Sequence, residues 1–222
     1  MAIDTHPAAL SVPSPITAEP GEKCVDFYFD FISPFGFFAS LQIDALAARH
    51  GYAVRWHSML IGVSVLKVMG MKPLLDTPLK GPYTIRDAER HARKLGLQLG
   101  RKVDDPLVDP RPAGKAFNWM QKHAPQYSLA FAQGVFHAYW MQGKDISQPQ
   151  VLTGVLAELC PALVSRVEEL QGEEASALLR QSVDASLARG VFGSPFFLVG
   201  EEPFFGVEKL GQLDEWLGNG GW

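Results

Sequence analysis

Two stretches of alternating side chains flank a helical pattern near the start of the chain. Residues 24–31 (CVDFYFDF) alternate aromatic, β-branched and acidic side chains, which predicts a buried strand, and residues 52–60 (YAVRWHSML) predict a second one. Between them, residues 34–50 predict one helix that begins at Pro34 and stops before Gly51, with an apolar face of Phe37, Phe38, Leu41, Ala45, Leu46 and Ala48. A crossover of this length predicts a parallel β-α-β unit.

The middle of the chain carries a helical period without a convincing strand pattern. Residues 61–172 contain amphipathic and aromatic stretches that Pro and Gly interrupt, and Ser147 is the expected N-cap of one of these helices. The last part predicts a helix and then two short strands that meet in a hairpin at residues 200–202 (Gly-Glu-Glu). A closing helix is expected after Gly206.

This order of elements predicts an α/β fold. A β-α-β unit, a long helical stretch and an α-β-β-α unit match a thioredoxin-like framework with an inserted all-helical domain. The expected boundaries are a flexible tail over residues 1–21, a thioredoxin-like domain over 22–60 and 175–222, and the helical insertion over 61–174.

Composition excludes several classes of function. The 222 residues are 47% hydrophobic and 20% charged with a net charge of −4, so the basic surface that nucleic acid requires is not expected. The sequence shows no apolar run of membrane-spanning length and no secretory signal. With only Cys24 and Cys160, a disulfide framework is not expected, and the cytoplasm is the predicted compartment. No group of residues has the spacing of a metal site.

Ser33 stands where the first strand ends and the first helix begins, at a junction that we expect to be exposed. Its hydroxyl can cap the helix, because serine at this position accepts a hydrogen bond from an otherwise unpaired backbone N–H. The helix N-terminus also carries partial positive charge that favours a bound thiolate, carboxylate or phosphate. The sequence leaves both interpretations open. Because SPFG (residues 33–36) contains no cysteine, direct thiol–disulfide exchange here is excluded.

A second motif, GVFGSPFF, has Ser194-Pro195 at the start of a strand. Proline is tolerated at that position because it has no N–H to donate to the sheet. In thioredoxin-like folds a cis proline there faces the N-terminus of the first helix. We therefore predict a cis peptide bond between these two residues, opposite Ser33.

Five segments together resemble one family. They are DFISPFGF, MGMKPLLDTPLKGPYTIRDAER, DISQPQVL, ARGVFGSPFFLVG and FFGVEKLGQLDEWL. Over residues 23–217 the chain resembles the 2-hydroxychromene-2-carboxylate isomerases and the kappa-class glutathione transferases, in the DsbA-like branch of the thioredoxin superfamily. The resemblance implies glutathione as the cofactor and an aromatic or quinonoid carboxylate as the substrate.

The resemblance also implies roles for individual residues. The hydroxyl of Ser33 would donate to the glutathione sulfur, and Lys80 would approach the glycine carboxylate. The backbone of Ser194, next to Pro195, would pair with the cysteinyl unit. The γ-glutamyl end would lie against the segment that follows Gly206.

Two segments depart from the family pattern. Met71 stands where family members carry a side-chain amide, and Val207-Glu208 replaces their Ser-Asp or Gln-Asp pair. Glu208 can still meet an ammonium group, whereas Met71 and Val207 offer little or no hydrogen bonding to glutathione.

Three functions follow as hypotheses. The first is a glutathione-dependent cis–trans isomerase of an aromatic or quinonoid carboxylate. The second is a kappa-like glutathione transferase that uses the same site. The third is a non-catalytic binding module that has lost glutathione, which the departures at Met71 and Val207 favour. The expected partner is a small molecule rather than nucleic acid or a membrane, and a homodimer remains open.

Overall fold

A mixed sheet of four strands is the centre of the fold in the computed structural model, which describes residues 23–222. The predicted tail at 1–21 lies outside the described residues. The strands are β1 (Cys24–Phe29), β2 (Ala53–Ser58), β3 (Phe196–Val199) and β4 (Glu202–Phe205). Their order is β2-β1-β3-β4, with β1 parallel to β2 and the other pairs antiparallel. This topology agrees with the predicted α/β class and with the predicted parallel first pair.

Helices make up most of the rest of the described chain. The α-helices are α1 (Pro34–Ser40), α2 (Ile43–Arg49), α3 (Lys80–Lys94), α4 (Arg111–His123), α5 (Pro125–Phe136), α6 (Pro149–Leu159), α7 (Glu173–Ala188) and α8 (Leu210–Asn219). The chain also forms π-helices at Gly62–Val68 and His137–Met141, and 3₁₀-helices at Leu74–Asp76, Pro161–Gln171 and Val207–Lys209.

The prediction of one helix over residues 34–50 is wrong. The side chains of Ser40 and Gln42 donate to the carbonyls of Phe37 and Phe38 at 2.7 and 2.8 Å. Side chains that bond nearby carbonyls in this way compete with the regular helical pattern, and here the chain turns between α1 and α2. The turn moves the second half of the predicted apolar face, so that Leu41, Ala45 and Ala48 are exposed.

Two smaller predictions at the ends of elements are also wrong. The helix α6 has Gln148 as its N-cap, and the hydroxyl of Ser147 instead donates to the carboxylate of Asp145 at 2.6 Å. In the hairpin, Glu202 already belongs to β4, so the connection has only two residues. Gly200 adopts a φ of 63° there, a left-handed conformation that glycine tolerates best.

The two faces of the sheet pack differently. Phe27 and Phe29 point to the main core, where Phe29 lies 5.2 and 5.4 Å from the rings of Phe117 and Phe136. The aromatic helical stretches therefore form part of the core. This cluster runs without a break from the sheet into the helices, so the predicted domain boundaries stay a prediction. The opposite face carries a separate small cluster of Tyr28, Met59, Val191, Phe196 and Leu198.

Candidate functional site

Ser33 is the N-cap of α1 and is buried. After β1 the chain turns, with the Ser33 N–H donating to the carbonyl of Asp30 at 3.0 Å. Extended backbone at Ser33 then lets its Oγ accept a hydrogen bond from the Gly36 N–H at 3.0 Å. The capping prediction is thus confirmed. The expected exposure is wrong, because only 4% of Ser33 is accessible.

The loop before β3 faces this cap. The Ser194–Pro195 peptide bond is cis, as predicted. The Ser33 hydroxyl donates to the Ser194 carbonyl at 2.9 Å, and the Ser194 hydroxyl accepts from the Asp30 N–H at 2.9 Å. Two serines 161 residues apart are therefore joined at the end of the sheet.

Gly36 allows this close approach. A Cβ atom at position 36 would lie 2.7 Å from the Ser194 Oγ and 3.2 Å from the Ser33 Cβ. A side chain at position 36 would displace the Ser194 hydroxyl, which accepts from the Asp30 N–H. The glycine in SPFG therefore leaves room for the hydrogen bond that links the proline loop to Asp30.

Val207 and Glu208 lie beside the same loop. The Gly206 N–H donates to the Pro195 carbonyl at 3.0 Å, and Gly206 has a φ of 104°, which strongly favours glycine. The Val207 side chain is buried, whereas Glu208 is exposed and its carboxylate folds back over Gly206. The structure thus brings Ser33, Ser194, Pro195, Val207 and Glu208 into one region.

Met71 and Lys80 are placed differently. Met71 is half exposed, and Lys80 is an exposed residue at the start of α3. Within residues 23–222, no hydrogen bond or ion pair joins either side chain to the Ser33 turn. The helix α3 does reach α1 near its other end, where His91 lies 5.8 Å from the ring of Phe35.

Sequence reasoning missed Asp30, which we had treated only as part of a strand. Its side chain is buried, and its Oδ2 and Oδ1 accept hydrogen bonds from the N–H groups of Ile61 and Ile32 at 2.8 and 3.3 Å. Burial raises the pKa of this carboxyl to about 7, the two N–H groups only partly offset that rise, and the charge of Asp109 adds to it. An acidic residue at the end of a stretch of mostly aromatic and aliphatic side chains was the available signal.

A second buried carboxylate, Asp26, lies further back along β1. It accepts hydrogen bonds from Arg55 at 2.8 and 2.9 Å, from the His57 ring at 2.8 Å and from Arg189 at 3.1 Å. Burial alone raises the pKa of Asp26, but the hydrogen bonds and charges of His57 and Arg55 outweigh burial and lower it to about 2.

The described residues provide neither a metal site nor a membrane span. Over residues 23–222, no group of three or more His, Cys, Asp or Glu side chains is arranged to hold a metal ion. In that part of the chain, no helix has the length and apolar character needed to cross a membrane.

Comparison with known proteins gives consistent matches. A family model described as a DSBA-like thioredoxin domain matches residues 24–218. The chain is 27% identical over 207 residues to a 2-hydroxychromene-2-carboxylate isomerase of Pseudomonas putida, covering 87% of this chain and 94% of that protein. It is 23% identical over 220 residues to glutathione S-transferase kappa 2 of Caenorhabditis elegans, covering 89% and 93%. A solved structure of a 2-hydroxychromene-2-carboxylate isomerase superposes with a TM-score of 0.73 at 27% identity, covering 88% and 95%.

Proposed function

The chain belongs to the DSBA-like thioredoxin-domain family, and we propose that it is a glutathione-dependent isomerase of an aromatic or quinonoid carboxylate. The observation that carries the proposal is the pairing of Ser33 with the Ser194 carbonyl beside a cis proline. The similarity to 2-hydroxychromene-2-carboxylate isomerases supports the reaction class, and the similarity to a kappa glutathione transferase supports the cofactor.

The residues present fit part of a glutathione molecule. Ser33 offers a hydroxyl donor, Ser194 a carbonyl acceptor, and exposed Glu208 a carboxylate for an ammonium group. Met71 and Val207 add apolar surface instead of hydrogen bonds. The fit is therefore polar at the sulfur and the cysteinyl unit, and weaker elsewhere.

Binding would exchange one hydrogen bond for two. In the free protein the Ser33 hydroxyl donates its only hydrogen to the Ser194 carbonyl. A ligand whose amide N–H donates to that carbonyl releases the hydroxyl, which can then rotate and donate to the ligand sulfur. The Ser33–Ser194 pair thus holds both groups in place before the ligand arrives.

The chemistry needs an ionised thiol. Bound glutathione would supply a thiolate for reversible addition to an activated double bond of the substrate. A free thiol with a pKa of about 8.5 is only a few per cent ionised at neutral pH. The Ser33 hydroxyl would favour the thiolate, because a hydrogen bond to a charged group is stronger than one to its neutral form.

A kappa-like glutathione transferase is the second candidate, which the similarity to the Caenorhabditis elegans protein supports. It would use the same thiolate, with the product retaining the glutathionyl group. An activated aromatic chloride would be consumed by a transferase, whereas 2-hydroxychromene-2-carboxylate would be interconverted with its trans isomer by the isomerase. Measuring both conversions by ultraviolet absorbance distinguishes the two.

Thermal stabilisation by glutathione tests the cofactor. At ten times its dissociation constant a ligand stabilises the folded protein by about 1.4 kcal/mol, so millimolar glutathione should raise the melting temperature. Stabilisation by glutathione without either conversion would indicate a non-catalytic binding module. No stabilisation at any concentration, together with no isomerisation, rejects the proposed function.

Replacing Ser33 with Ala tests its role. We expect the fold to persist with a loss of about 0.5–2 kcal/mol of stability from the missing cap, and a raised pKa of the bound thiol. The control is Ser40→Ala on the same helix, since Ser40 is equally buried and donates only to the Phe37 carbonyl. An unchanged thiol pKa in Ser33→Ala means that Ser33 is only a cap.

A further inference from the structure

Asp30 is the residue at which three loops of the candidate site meet. Its carbonyl accepts from the Ser33 N–H at 3.0 Å, and its N–H donates to the Ser194 hydroxyl at 2.9 Å. Its carboxylate accepts from the Ile61 N–H at 2.8 Å, at the start of residues 61–79, the segment that contains Met71. One residue therefore connects the Ser33 turn, the proline loop and the segment after β2.

The carboxylate of Asp30 is held by backbone dipoles alone. Its hydrogen-bond partners among residues 23–222 are the N–H groups of Ile61 and Ile32, and no ion pair to it is formed there. The charged and titratable groups that act on it are Asp109, whose negative charge opposes its ionisation, and Tyr139, whose pKa is raised chiefly by burial and to a smaller extent by Asp30. Deep burial without a cation makes the charged form of a carboxyl unfavourable.

We propose that Asp30 is a positioning residue of the glutathione site, whose charged carboxylate holds the start of segment 61–79 against the Ser33 turn and whose protonation loosens that segment. The inference rests on the proposed function for the identity of the ligand. The connection between the loops does not depend on it.

The physical basis is the change in one hydrogen bond. The Ile61 N–H donates to a charged oxygen when Asp30 is ionised, and charge-assisted hydrogen bonds are roughly twice as strong as neutral ones. Protonation places a hydrogen on one of two oxygens that both face N–H donors, so one acceptor is weakened or turned away. Since the pKa of Asp30 is raised to about 7, this change falls in the neutral range.

The first experiment follows the Ile61 amide by nuclear magnetic resonance in the protein without ligand. Its resonance should shift between about pH 5.5 and pH 8, and Asp30→Asn should abolish that shift. The control is Asp44→Asn, which removes another carboxyl that is partly buried and whose pKa is raised, to about 6, but which accepts from Trp56 instead. An Ile61 resonance that does not move with pH, or that moves equally in Asp30→Asn, overturns the proposal.

The second experiment measures the affinity for S-methylglutathione, which has no thiol to titrate. From about pH 8 to about pH 5.5 the wild-type affinity should fall about fivefold, whereas Asp30→Asn should be weak and flat throughout. The ring of His91 also packs against α1. A pH dependence that survives in Asp30→Asn would belong to a group other than Asp30 and would overturn the proposal.

A second pair of variants leaves Asp30 intact. Ile61→Pro removes the donor N–H at a φ of −55°, which proline can adopt, and should give the weak and flat profile. Ile61→Ala keeps the N–H while losing most of the side chain, and should keep the wild-type pH dependence. Identical profiles in these two variants would contradict the role of the hydrogen bond.

The two experiments separate two kinds of failure. If the Ile61 resonance titrates with Asp30 but S-methylglutathione does not bind at any pH, the proposed function fails and the loop connection stands. If the ligand binds with an affinity that Asp30→Asn leaves unchanged at every pH, the proposed function survives and the positioning role fails.

Discussion

Asp26 and Asp30 are two buried carboxyl groups at opposite ends of one short stretch of chain. Asp26 lies within β1, and Asp30 follows directly after it. Both are almost fully inaccessible, at 3% and 1% exposure. Basic side chains surround Asp26, whereas backbone N–H groups alone hold the carboxylate of Asp30.

The difference in partners reverses the electrostatic outcome. Burial raises the pKa of each group, but at Asp26 the hydrogen bonds and charges of its neighbours win and the pKa falls to about 2. At Asp30 burial prevails over two backbone hydrogen bonds, and the pKa rises to about 7. Four positions along the chain thus separate a carboxylate that stays charged at neutral pH from a carboxyl that titrates near neutral pH.

The comparison indicates that Asp26 contributes to the stability of the fold, whereas Asp30 is a group at the candidate site whose charge can change. The Asp26 cluster joins β1, β2 and the end of α7 through Arg55, His57 and Arg189. None of these hydrogen bonds involves a residue of the Ser33 turn. Asp30 lies at the candidate site, where the charged form of its carboxyl lowers the stability of the folded protein. Perturbed carboxyls of this second kind are frequent at functional sites.

The largest expected effect comes from Asp30→Asn as a function of pH. The folded pKa of about 7 lies above the ordinary value of 3.8, so the wild-type protein loses stability as pH rises between them. The stability of the variant relative to wild type should increase by roughly 4 kcal/mol from pH 4 to pH 8. Urea unfolding at a series of pH values measures this difference.

Asp44→Asn sharpens the same measurement. Burial raises the pKa of Asp44 to about 6, and the hydrogen bond from Trp56 opposes the rise. The stability of Asp44→Asn relative to wild type should therefore stop increasing about one pH unit below the pH at which that of Asp30→Asn does. If the stability of Asp30→Asn relative to wild type does not change with pH, the pKa of Asp30 is not raised and the contrast with Asp26 is lost.

The next effect is the loss of stability in Asp26→Asn at pH 7. Removing the charge leaves Arg55 and Arg189 without their shared anion, and breaking a buried pair in this way costs about 3–5 kcal/mol. Because the two arginine side chains are 44% and 36% exposed, we expect about 3 kcal/mol, measured by urea unfolding.

The control is Asp214→Asn, which breaks a similar pairing with one arginine and one histidine. Asp214 accepts from Arg49 at 2.9 Å and from His50 at 2.7 Å, but it is 40% exposed, so the loss should be about 0–1 kcal/mol. Equal losses in the two variants would show that burial of Asp26 adds nothing.

Acid unfolding gives a third, smaller effect with the opposite sign to that of Asp30. The folded pKa of Asp26, about 2, lies below the ordinary 3.8, so its contribution is present above pH 4 and is lost as pH falls towards 2. Roughly 2 kcal/mol should disappear over that range in wild type and in Asp30→Asn, but not in Asp26→Asn. Parallel acid curves for wild type and Asp26→Asn would refute the lowered pKa.

The smallest effect concerns Met71, in the segment that Asp30 holds. Restoring an amide with Met71→Asn should add one net hydrogen bond to glutathione, or about 0.5–1.5 kcal/mol, which corresponds to roughly two- to twelvefold in the dissociation constant. Isothermal titration calorimetry measures it, with Met69→Asn as the control, since Met69 is similarly exposed at 45%. Combination with Asp30→Asn should reduce the gain, and equal gains at both methionines would mean that position 71 does not face the ligand.

Local chemistry accounts for what could be predicted before the structure was known. The order of strands and helices follows from periodicity, and the cap at Ser33 follows from a serine placed directly before Pro34. The cis bond at Ser194–Pro195 and the family resemblance required whole motifs, and both agree with the structure and the family match. The expected cap at Ser147 was wrong, because Asp145 competes for that hydroxyl from two residues away.

The α/β order of elements, the helix cap and the proline at the site thus follow from local sequence patterns. Which distant groups meet depends on how the elements pack. Ser33 bonds Ser194, and Asp26 bonds Arg189, across more than 160 residues. No spacing in the sequence encodes such contacts. The charge state of Asp30 depends on burial and on the absence of a nearby cation among the described residues. Burial and neighbouring charges are properties of the packed fold, so an aspartate at position 30 with other neighbours could have behaved like Asp26.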